Sequence, residues 1–302
     1  MLGQALADGV LTGAVIALGA IGISFTMQIM RFANFAHAEL LTWGGYIALV
    51  IVGFVGAGAP SLGLSFGFGL WLATAVAMAL AGALAWAVDR LVFRPLRAGG
   101  AGHLTLVFAS FGLGLVMRHL IVLFWGHDSR FYTRELQMAA EVLPGVRVLP
   151  NQVAILVVTL LVVVALHQWL ARSRTGVALR AAAESPALAA ACGIEVERVI
   201  RTTWLLGGAL AALAGVFQGL TPQVNPEIGG SLLLSLFAAA ILGGVGSLAG
   251  AVIGGLAVGL AENVLLLVVS PGYKPAMSFA LLLVVLLARP QGLFGERREG
   301  DR

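Results

Sequence analysis

Long apolar runs, separated by short stretches of charge, proline and glycine, dominate the chain. Nine of these runs are candidates for membrane helices, and most of them reach the ~20 residues that a helix needs to cross a hydrocarbon core. They predict membrane-spanning helices at residues 9–30, 40–58, 64–88, 104–125, 152–170, 202–220, 232–246, 248–269 and 276–288. The predicted fold class is therefore all-α: a polytopic transmembrane helical bundle of about 8–10 helices, with residues 1–302 forming a single transmembrane domain.

The seventh and eighth segments share one apolar run that extends from Leu232 to Val269. A run of this length is too long for a single crossing. Because glycine interrupts regular helix, the cluster Gly243, Gly244 and Gly246 predicts a break between two helices at this point.

The composition agrees with membrane burial. Of the 302 residues, 60% are hydrophobic and 11% are charged, and the mean hydropathy is +0.99. A soluble domain usually carries about 25% charged residues, because its surface must be hydrated. The 40 glycines suit helices that pack closely against one another in lipid.

The basic residues predict the orientation in the membrane. Most of the 18 lysines and arginines follow the third and fifth segments or lie in the last residues of the chain. By the positive-inside rule these regions are cytoplasmic, which places the C-terminal tail, residues 289–302, inside the cell and the N-terminus outside. The basic residues are too dispersed to form a nucleic-acid-binding surface, although the net charge is +4.

Two connections are long enough to carry a function. Residues 126–151 form an outer, periplasmic loop in this topology, and residues 171–201 form an inner, cytoplasmic loop. The alanine-rich middle of the inner loop predicts a short helix, with Ser185 as its N-cap, Pro186 in its first turn and Gly193 after its end. Such a helix suits docking to a partner protein, and an ordinary solvated loop is the alternative.

A glycine repeat lies in the eighth segment and just before it. Gly246, Gly250 and Gly254 recur at every fourth position, and Gly259 forms a further pair with Gly255. Small residues at this spacing predict a helix face that packs against a neighbouring helix, and a hinge or a pore-lining role is the alternative.

Polar side chains within membrane segments are costly and therefore indicate function. Asn34, His37 and Glu39 cluster at the start of the second segment, Gln218 lies near the outer end of the sixth, and Glu262 lies within the eighth. We interpret these five as candidates to line a substrate path. For the first three, the alternative is an interfacial cluster at the cytoplasmic mouth.

Arg118 and Glu262 are the two charged residues deep within predicted segments. Each lies seven residues before the outer end of its helix, so both are roughly 10 Å below the same surface. We therefore predict that they form an ion pair between the fourth and eighth segments. The alternative is that Glu262 lines the path and contacts the amino group of the solute.

The sequence offers no catalytic motif in the context that its chemistry requires. A P-loop requires G-x-x-x-x-G-K-[ST], and Lys274, in PGYKP, is the only lysine. H-E-x-x-H does not occur, and the one G-x-S-x-G match, GLSFG at residues 63–67, lies at the start of the predicted third membrane segment rather than at a strand-to-helix turn. No enzyme, cofactor or metal site is predicted, and Cys192, the only cysteine, excludes an intrachain disulfide.

Four stretches carry a resemblance to a known family. SRTGVALRAAAESPALAAACGIEVERV, residues 173–199, resembles the cytoplasmic loop of branched-chain amino acid ABC permeases. NFAHAEL at Asn34–Leu40, ILGGVGSLAGAVIGG at Ile241–Gly255 and RPQGLFG at Arg289–Gly295 match the same family. The resemblance is to the shorter of the two permeases that pair in these importers, which are related to urea and amide permeases.

This resemblance implies a bacterial inner-membrane permease for branched-chain amino acids or similar small zwitterions or amides. The implied partners are a second homologous permease subunit, two ABC ATPase subunits, a periplasmic substrate-binding protein and the lipid bilayer. It implies that the coupling helix to the ATPase includes Glu184, Ser185, Pro186, Ala189, Ala190 and Gly193. A self-sufficient secondary transporter or channel is the alternative, and a membrane enzyme is disfavoured.

Overall fold

The computed structural model describes residues 1–60, 63–133, 135, 137–221, 223–289 and 292–294. The helices described are α1 (Leu2–Met30), α2 (His37–Val55), α3 (Phe68–Val88), α4 (Arg94–Ala98), α5 (His103–Trp125), α6 (Pro150–Arg172), α7 (Arg174–Glu184), α8 (Pro186–Ala191), α9 (Val196–Leu220), α10 (Ile228–Gly243), α11 (Leu248–Leu265) and α12 (Lys274–Ala288). A π-helical turn, Asp89–Phe93, joins α3 to α4, and a 3₁₀ turn, Pro271–Tyr273, precedes α12.

Eight of the nine predicted membrane segments are confirmed as helices of spanning length, and the seventh corresponds to the shorter helix α10. Eight helices within the described residues are long and apolar enough to cross a membrane, and α10 is apolar but shorter. The predicted break between the seventh and eighth segments is also present, between α10 and α11. Gly244 and Gly246 have φ values of 97° and 91° there, a backbone conformation that favours glycine.

The buried centre of the bundle is built around α1 and α9. In the apolar span of α1, 78% of the residues are buried, compared with 11% in α6, which lies at the periphery. Helix α1 packs antiparallel to α11, because Gly9 meets Leu260 and Gly13 meets Leu256. These glycines allow backbone-to-backbone contact, since a Cβ at either one would lie 2.8 Å from the Cα of its neighbour.

The connection at 126–151 contains an antiparallel hairpin that the sequence pattern did not predict. Its strands are β1 (Ala140–Leu143) and β2 (Val146–Val148). The side chain of Gln4 donates to the carbonyl of Arg147 (3.0 Å) and accepts from its N–H (2.8 Å). The N-terminus therefore lies on the same side of the bundle as this hairpin, and we call that side the hairpin face.

The connection at 171–201 lies on the opposite face and forms two helices, α7 and α8, where one short helix was predicted. Ser185 separates them: it ends α7, and its Oγ accepts from the N–H of Leu188 (3.3 Å) to cap α8. The predicted N-cap and the predicted Pro186 in the first turn are therefore present. Of the predicted cytoplasmic tail, 289–302, only residues 289 and 292–294 lie within the described part of the chain.

Candidate functional site

The segment that joins α1 to α2 lies inside the bundle. Helix α1 ends at Arg31, which has φ 57°, the only positive value at a non-glycine residue in the described part of the chain. The chain then turns back, and Asn34 (1% exposed) and His37 (0% exposed) are both buried. Helix α2 thus begins within the bundle rather than at its surface, as expected of a discontinuous transporter helix.

The imidazole of His37 occupies a space that two glycines leave open. A Cβ at Gly22 of α1 would lie 2.5 Å from Nε2, and one at Gly207 of α9 would lie 3.3 Å from Cε1. The side-chain polar atoms of His37 and Asn34 have no hydrogen-bond partner among the described residues. Buried polar groups are normally paired, so these two are unusual for a packing role alone.

In the first turn of α2, Glu39 is the point where Arg118 of α5 joins α2 to the start of α10. Its Nη2 and Nε donate to Oε1 of Glu39 (2.6 and 3.1 Å), and its Nη1 donates to Oε2 of Glu227 (3.3 Å). Thr42 donates to Glu39 (3.3 Å) and accepts from the N–H of Gly229 (2.9 Å). We call Arg118, Glu39 and Glu227 the charged cluster.

Within the charged cluster the two carboxylates differ in accessibility. The side chain of Glu39 is 6% exposed and that of Glu227 is 62% exposed, with Arg118 between them at 23%. Glu39 is therefore a fixed partner of the guanidinium. Glu227 lies at an accessible rim, where its contact with Arg118 can be exchanged for another anion.

The predicted Arg118–Glu262 ion pair is wrong. Glu262 accepts from Ser235 (2.5 Å) and from Ser278, and its second oxygen lies 3.6 Å from Lys274 Nζ. This buried group joins α10, α11 and α12. Equal depth was a poor criterion, because it does not specify which way two side chains point around their helix axes.

Gln218 is half-buried in the last turns of α9, beside Gly219. A Cβ at Gly219 would lie 3.2 Å from the hydroxyl of Tyr132, and that hydroxyl donates to the carbonyl of Gly45 (2.9 Å). Burial raises the pKa of Tyr132, so it remains a neutral donor. Gln218 is thus one residue from the point where Tyr132 of the 126–151 connection packs against α9. No described hydrogen bond joins the side chain of Gln218 to the charged cluster.

We call α7 and α8 together the docking segment, and within it the two alanines named from the sequence, Ala189 and Ala190, face opposite ways. Ala189 is 3% exposed and packs inward, whereas Ala190 is exposed, as is Leu188 (66%). Glu184, Cys192 and Gly193 are also exposed. Ala189 is therefore not accessible for direct contact with a partner, although the resemblance implied that it belongs to the coupling residues together with Ala190.

Arg31 connects the α1–α2 break to the docking segment. Its Nη2 donates to the carbonyls of Ala183 (3.3 Å) and Glu184 (3.1 Å), at the C-terminal end of α7. A cation is favoured at this end, where the helix carbonyls lack partners. The sequence pattern did not single out this contact, since 152 residues separate Arg31 from Ala183.

The glycine repeat does not form one stripe. Gly246 lies before α11, where its N–H donates to Ser24 Oγ (2.7 Å). Gly250 and Gly254 face α10, against Gly243 and Ala239. Gly259 faces α1, against Gly13, so small residues let α11 approach two helices.

Comparisons with known proteins match this chain to one family over most of its length. A family described as "Branched-chain amino acid transport system / permease component" matches residues 5–286. The chain is 34% identical over 299 residues to the high-affinity branched-chain amino acid transport system permease protein LivH of Salmonella typhimurium, covering 97% of this chain and 95% of that protein. It is 35% identical over 297 residues to LivH of Escherichia coli and 34% identical over 300 to BraD of Pseudomonas aeruginosa, each with 97% and 95% coverage.

Among solved structures, PsaBC from Streptococcus pneumoniae in complex with Fab is similar with a TM-score of 0.48 and 15% identity, covering 96% of this chain and 92% of that one. A likeness of this size does not bear on function. The family match and the relatives, by contrast, extend over nearly the whole chain. The chain belongs to the permease components of branched-chain amino acid transport systems.

Proposed function

We propose that this permease forms the path by which an ABC importer moves branched-chain amino acids, or similar small zwitterions, across the membrane. The observation that carries the proposal is the charged cluster, which presents one cation and one accessible carboxylate where α2, α5 and α10 meet. The alternative of a self-sufficient transporter or channel is not favoured, because the relatives are transport-system permeases.

The charged cluster offers a complement to each end of a zwitterion. The carboxylate of a passing amino acid can replace Glu227 at Arg118, since Glu39 keeps the guanidinium in place. The released Glu227 can then accept the ammonium group. The N-terminus of α10, which begins next to Glu227, adds a positive dipole end that favours the same carboxylate.

Asn34 and His37 extend this path towards the opposite face. Their buried polar atoms have no partner among the described residues, which suits side chains that a polar solute contacts in transit. Three aromatic rings lie beside the same break: Phe35 is 5.1 Å from Phe237 and 6.2 Å from Phe111, measured between ring centroids. They give an apolar surface that matches a branched side chain.

ATP hydrolysis is assigned to partner subunits, because this chain lacks a P-loop. We place the face that carries α7 and α8 in the cytoplasm, where most of the arginines lie, and the hairpin face outside. The proposed assembly has a second homologous permease, two ABC ATPases and a periplasmic binding protein. It lies in the bacterial inner membrane with the C-terminus inside.

Coupling to ATP is assigned to the exposed side of α8. Leu188 and Ala190 present a small apolar surface on a helix whose other side, at Ala189, is held by the bundle. A movement of α8 and α7 reaches the α1–α2 break through the Arg31 contacts with Ala183 and Glu184.

Substitution of Glu227 tests the role of the charged cluster. Glu227→Gln removes the accessible carboxylate but leaves Arg118 paired with Glu39, so the fold is expected to persist. A lost charge-assisted hydrogen bond is worth about 1.5–3 kcal/mol, which predicts a roughly 10- to 100-fold lower rate of leucine uptake. Uptake is measured in cells that express the whole importer, with expression quantified by immunoblot.

Glu135→Gln, at an exposed position of the hairpin-face connection, is the matched control and is expected to transport normally. Normal leucine uptake by Glu227→Gln would contradict the assignment of the charged cluster to the path. Loss of uptake in both variants would point to a general effect of charge on the outer surface.

A further inference from the structure

A cavity of about 180 Å³ lies on the face opposite the hairpin, where α3 ends and α9 begins. Apart from one tryptophan, every residue that lines it is charged: Trp86, Asp89, Arg90, Arg94, Glu195, Glu197, Arg198 and Arg201. The lining of the cavity therefore shares no residue with the charged cluster of the proposed path or with the exposed side of α8.

The charges around the cavity leave two arginines uncompensated. Each carboxylate of the lining already pairs with an arginine: Arg94–Glu197 at 3.3 Å, Arg198–Glu195 at 2.9 Å and Arg97–Asp89 at 2.7 Å. In the part of the chain that the structure describes, Arg90 and Arg201 form no ion pair with a carboxylate. Arg90 instead lies over the ring of Trp86, 5.6 Å from its centroid.

An apolar surface begins one helical turn away. Gly82 is four residues before Trp86 on α3, and Leu205 is four residues after Arg201 on α9, so each pair shares a helix face. The helices cross there, since a Cβ at Gly82 would lie 2.7 Å from the carbonyl oxygen of Leu205. Leu205 remains 38% exposed, and Leu91, next to Arg90, is 75% exposed.

We infer that this cavity binds the phosphate group of an anionic phospholipid. Arg90 and Arg201 supply two cations without carboxylate partners, and Trp86 is the residue type that favours the headgroup level of a membrane. The exposed leucines next to them provide a surface for the acyl chains. Basic pockets between membrane helices bind lipid headgroups in this way.

A phospholipid and free inorganic phosphate would both bind to the arginines through a phosphate group. The apolar surface beside the cavity favours the lipid. A docked protein partner would be a different class of ligand. It would bind to the charged residues alone and would give the exposed leucines no role in recognition. The inference does not depend on which solute the permease carries, because no residue of the cavity belongs to the charged cluster.

Quenching of Trp86 fluorescence by brominated lipid tests the inference. The full chain, with whatever subunits co-purify, is reconstituted in vesicles of equal parts phosphatidylglycerol and phosphatidylcholine. Bromine is placed on the acyl chains of one lipid or of the other. The fluorescence of Trp86 is obtained by subtracting the fluorescence of the same protein with Trp86→Phe from that of each protein.

If the cavity binds the anionic lipid, brominated phosphatidylglycerol quenches Trp86 more than brominated phosphatidylcholine does. Arg90→Gln and Arg201→Gln are each expected to lower this preference by roughly five-fold. Arg201→Lys is expected to retain most of it. The matched control is Arg172→Gln, which removes an exposed arginine at the end of α6 and leaves the preference unchanged.

Three results would overturn the inference. Equal quenching by the two brominated lipids would show that the cavity does not select an anionic headgroup. Displacement of the brominated phosphatidylglycerol by millimolar inorganic phosphate would show a site for free anions. A preference that appears only after co-purifying subunits are removed would show that a protein partner covers the cavity.

Discussion

At the scale of single residues, the most unusual feature of this chain is Arg118, a charged side chain in a membrane segment that pairs with two carboxylates. Arg118 is flanked by one buried and one exposed carboxylate. The buried pair with Glu39 is costly to desolvate, and removal of Arg118 leaves the buried Glu39 carboxylate unpaired. A substrate path gives a reason to keep such a group where an apolar pair would pack more easily.

A double-mutant cycle measures the coupling of Arg118 to Glu39. Arg118→Gln is expected to lower the free energy of unfolding by about 3–5 kcal/mol, because it leaves the buried Glu39 carboxylate without a cation. Glu39→Gln is expected to lower it by less, because Glu227 still pairs with Arg118. The double variant is expected to lose less than the sum, because it leaves no buried charge unpaired. Unfolding in a denaturing detergent, followed by circular dichroism, gives the four values. Strictly additive losses would show that the two side chains do not interact.

Glycines in close contact with a neighbouring helix and glycines with open space around them predict different outcomes for the same substitution. At Gly250 a Cβ would overlap the carbonyl of Gly243, whereas at Gly112 of α5 nothing lies within 4 Å. Gly250→Ala is therefore expected to destabilise the bundle by about 1–3 kcal/mol, the usual effect of overpacking. Gly112→Ala, the matched control, is expected to be neutral. Thermal stability in detergent distinguishes them, and equal melting temperatures would contradict the contact of α11 with α10.

At the scale of elements, the docking segment is held on one side and free on the other. Helix α7 is tied to the end of α1 by Arg31, and the short α8 continues from it after Ser185. A partner that binds here would contact a helix that is fixed to the bundle, rather than an unstructured loop. It also separates residues that support α8 from residues that a partner can contact.

Substitutions at Ala189 and Ala190 make this separation testable. Ala190→Arg places a long cation on the exposed side and is expected to reduce both ATPase co-purification and uptake several-fold, with unchanged thermal stability. Ala189→Arg is expected to lower the stability of the permease itself, because Ala189 is buried. Ala139→Arg, exposed on the hairpin face, serves as the control. Normal co-purification and uptake with Ala190→Arg would refute the assignment of α8 to coupling.

At the scale of the whole molecule, the hairpin face and the face that carries α7 and α8 lie on opposite sides of one bundle. The bundle therefore predicts a different chemical accessibility for each face. The chain has one cysteine, Cys192, which is exposed just after α8. Its position makes the native protein its own topology probe.

A membrane-impermeant maleimide is expected to label Cys192 in inside-out vesicles and not in intact spheroplasts, as the proposed cytoplasmic location of α8 requires. In the reversed experiment, Cys192→Ser with Ala139→Cys is expected to be labelled from outside only. Mass spectrometry of the labelled chain gives the result. Labelling of Cys192 in intact spheroplasts would invert the proposed topology.

Much of this architecture could be predicted from local sequence. Hydrophobic run length is a local property, so the crossing segments and the break near Gly244 were found in the correct places. Ser185 and Pro186 act on backbone groups within a few residues, so the start of α8 was also predictable. Family membership was accessible for the same reason, because the motifs are contiguous.

Contacts between distant helices were not accessible in this way. Which carboxylate meets Arg118 depends on how α2, α5 and α10 are rotated about their axes, and apolar helices in lipid carry little pattern that specifies rotation. For that reason the sequence supported Glu262, and the structure shows Glu39 and Glu227. Run length and capping chemistry determine the elements of this permease, whereas the pairing of its few buried charges is determined by helix packing.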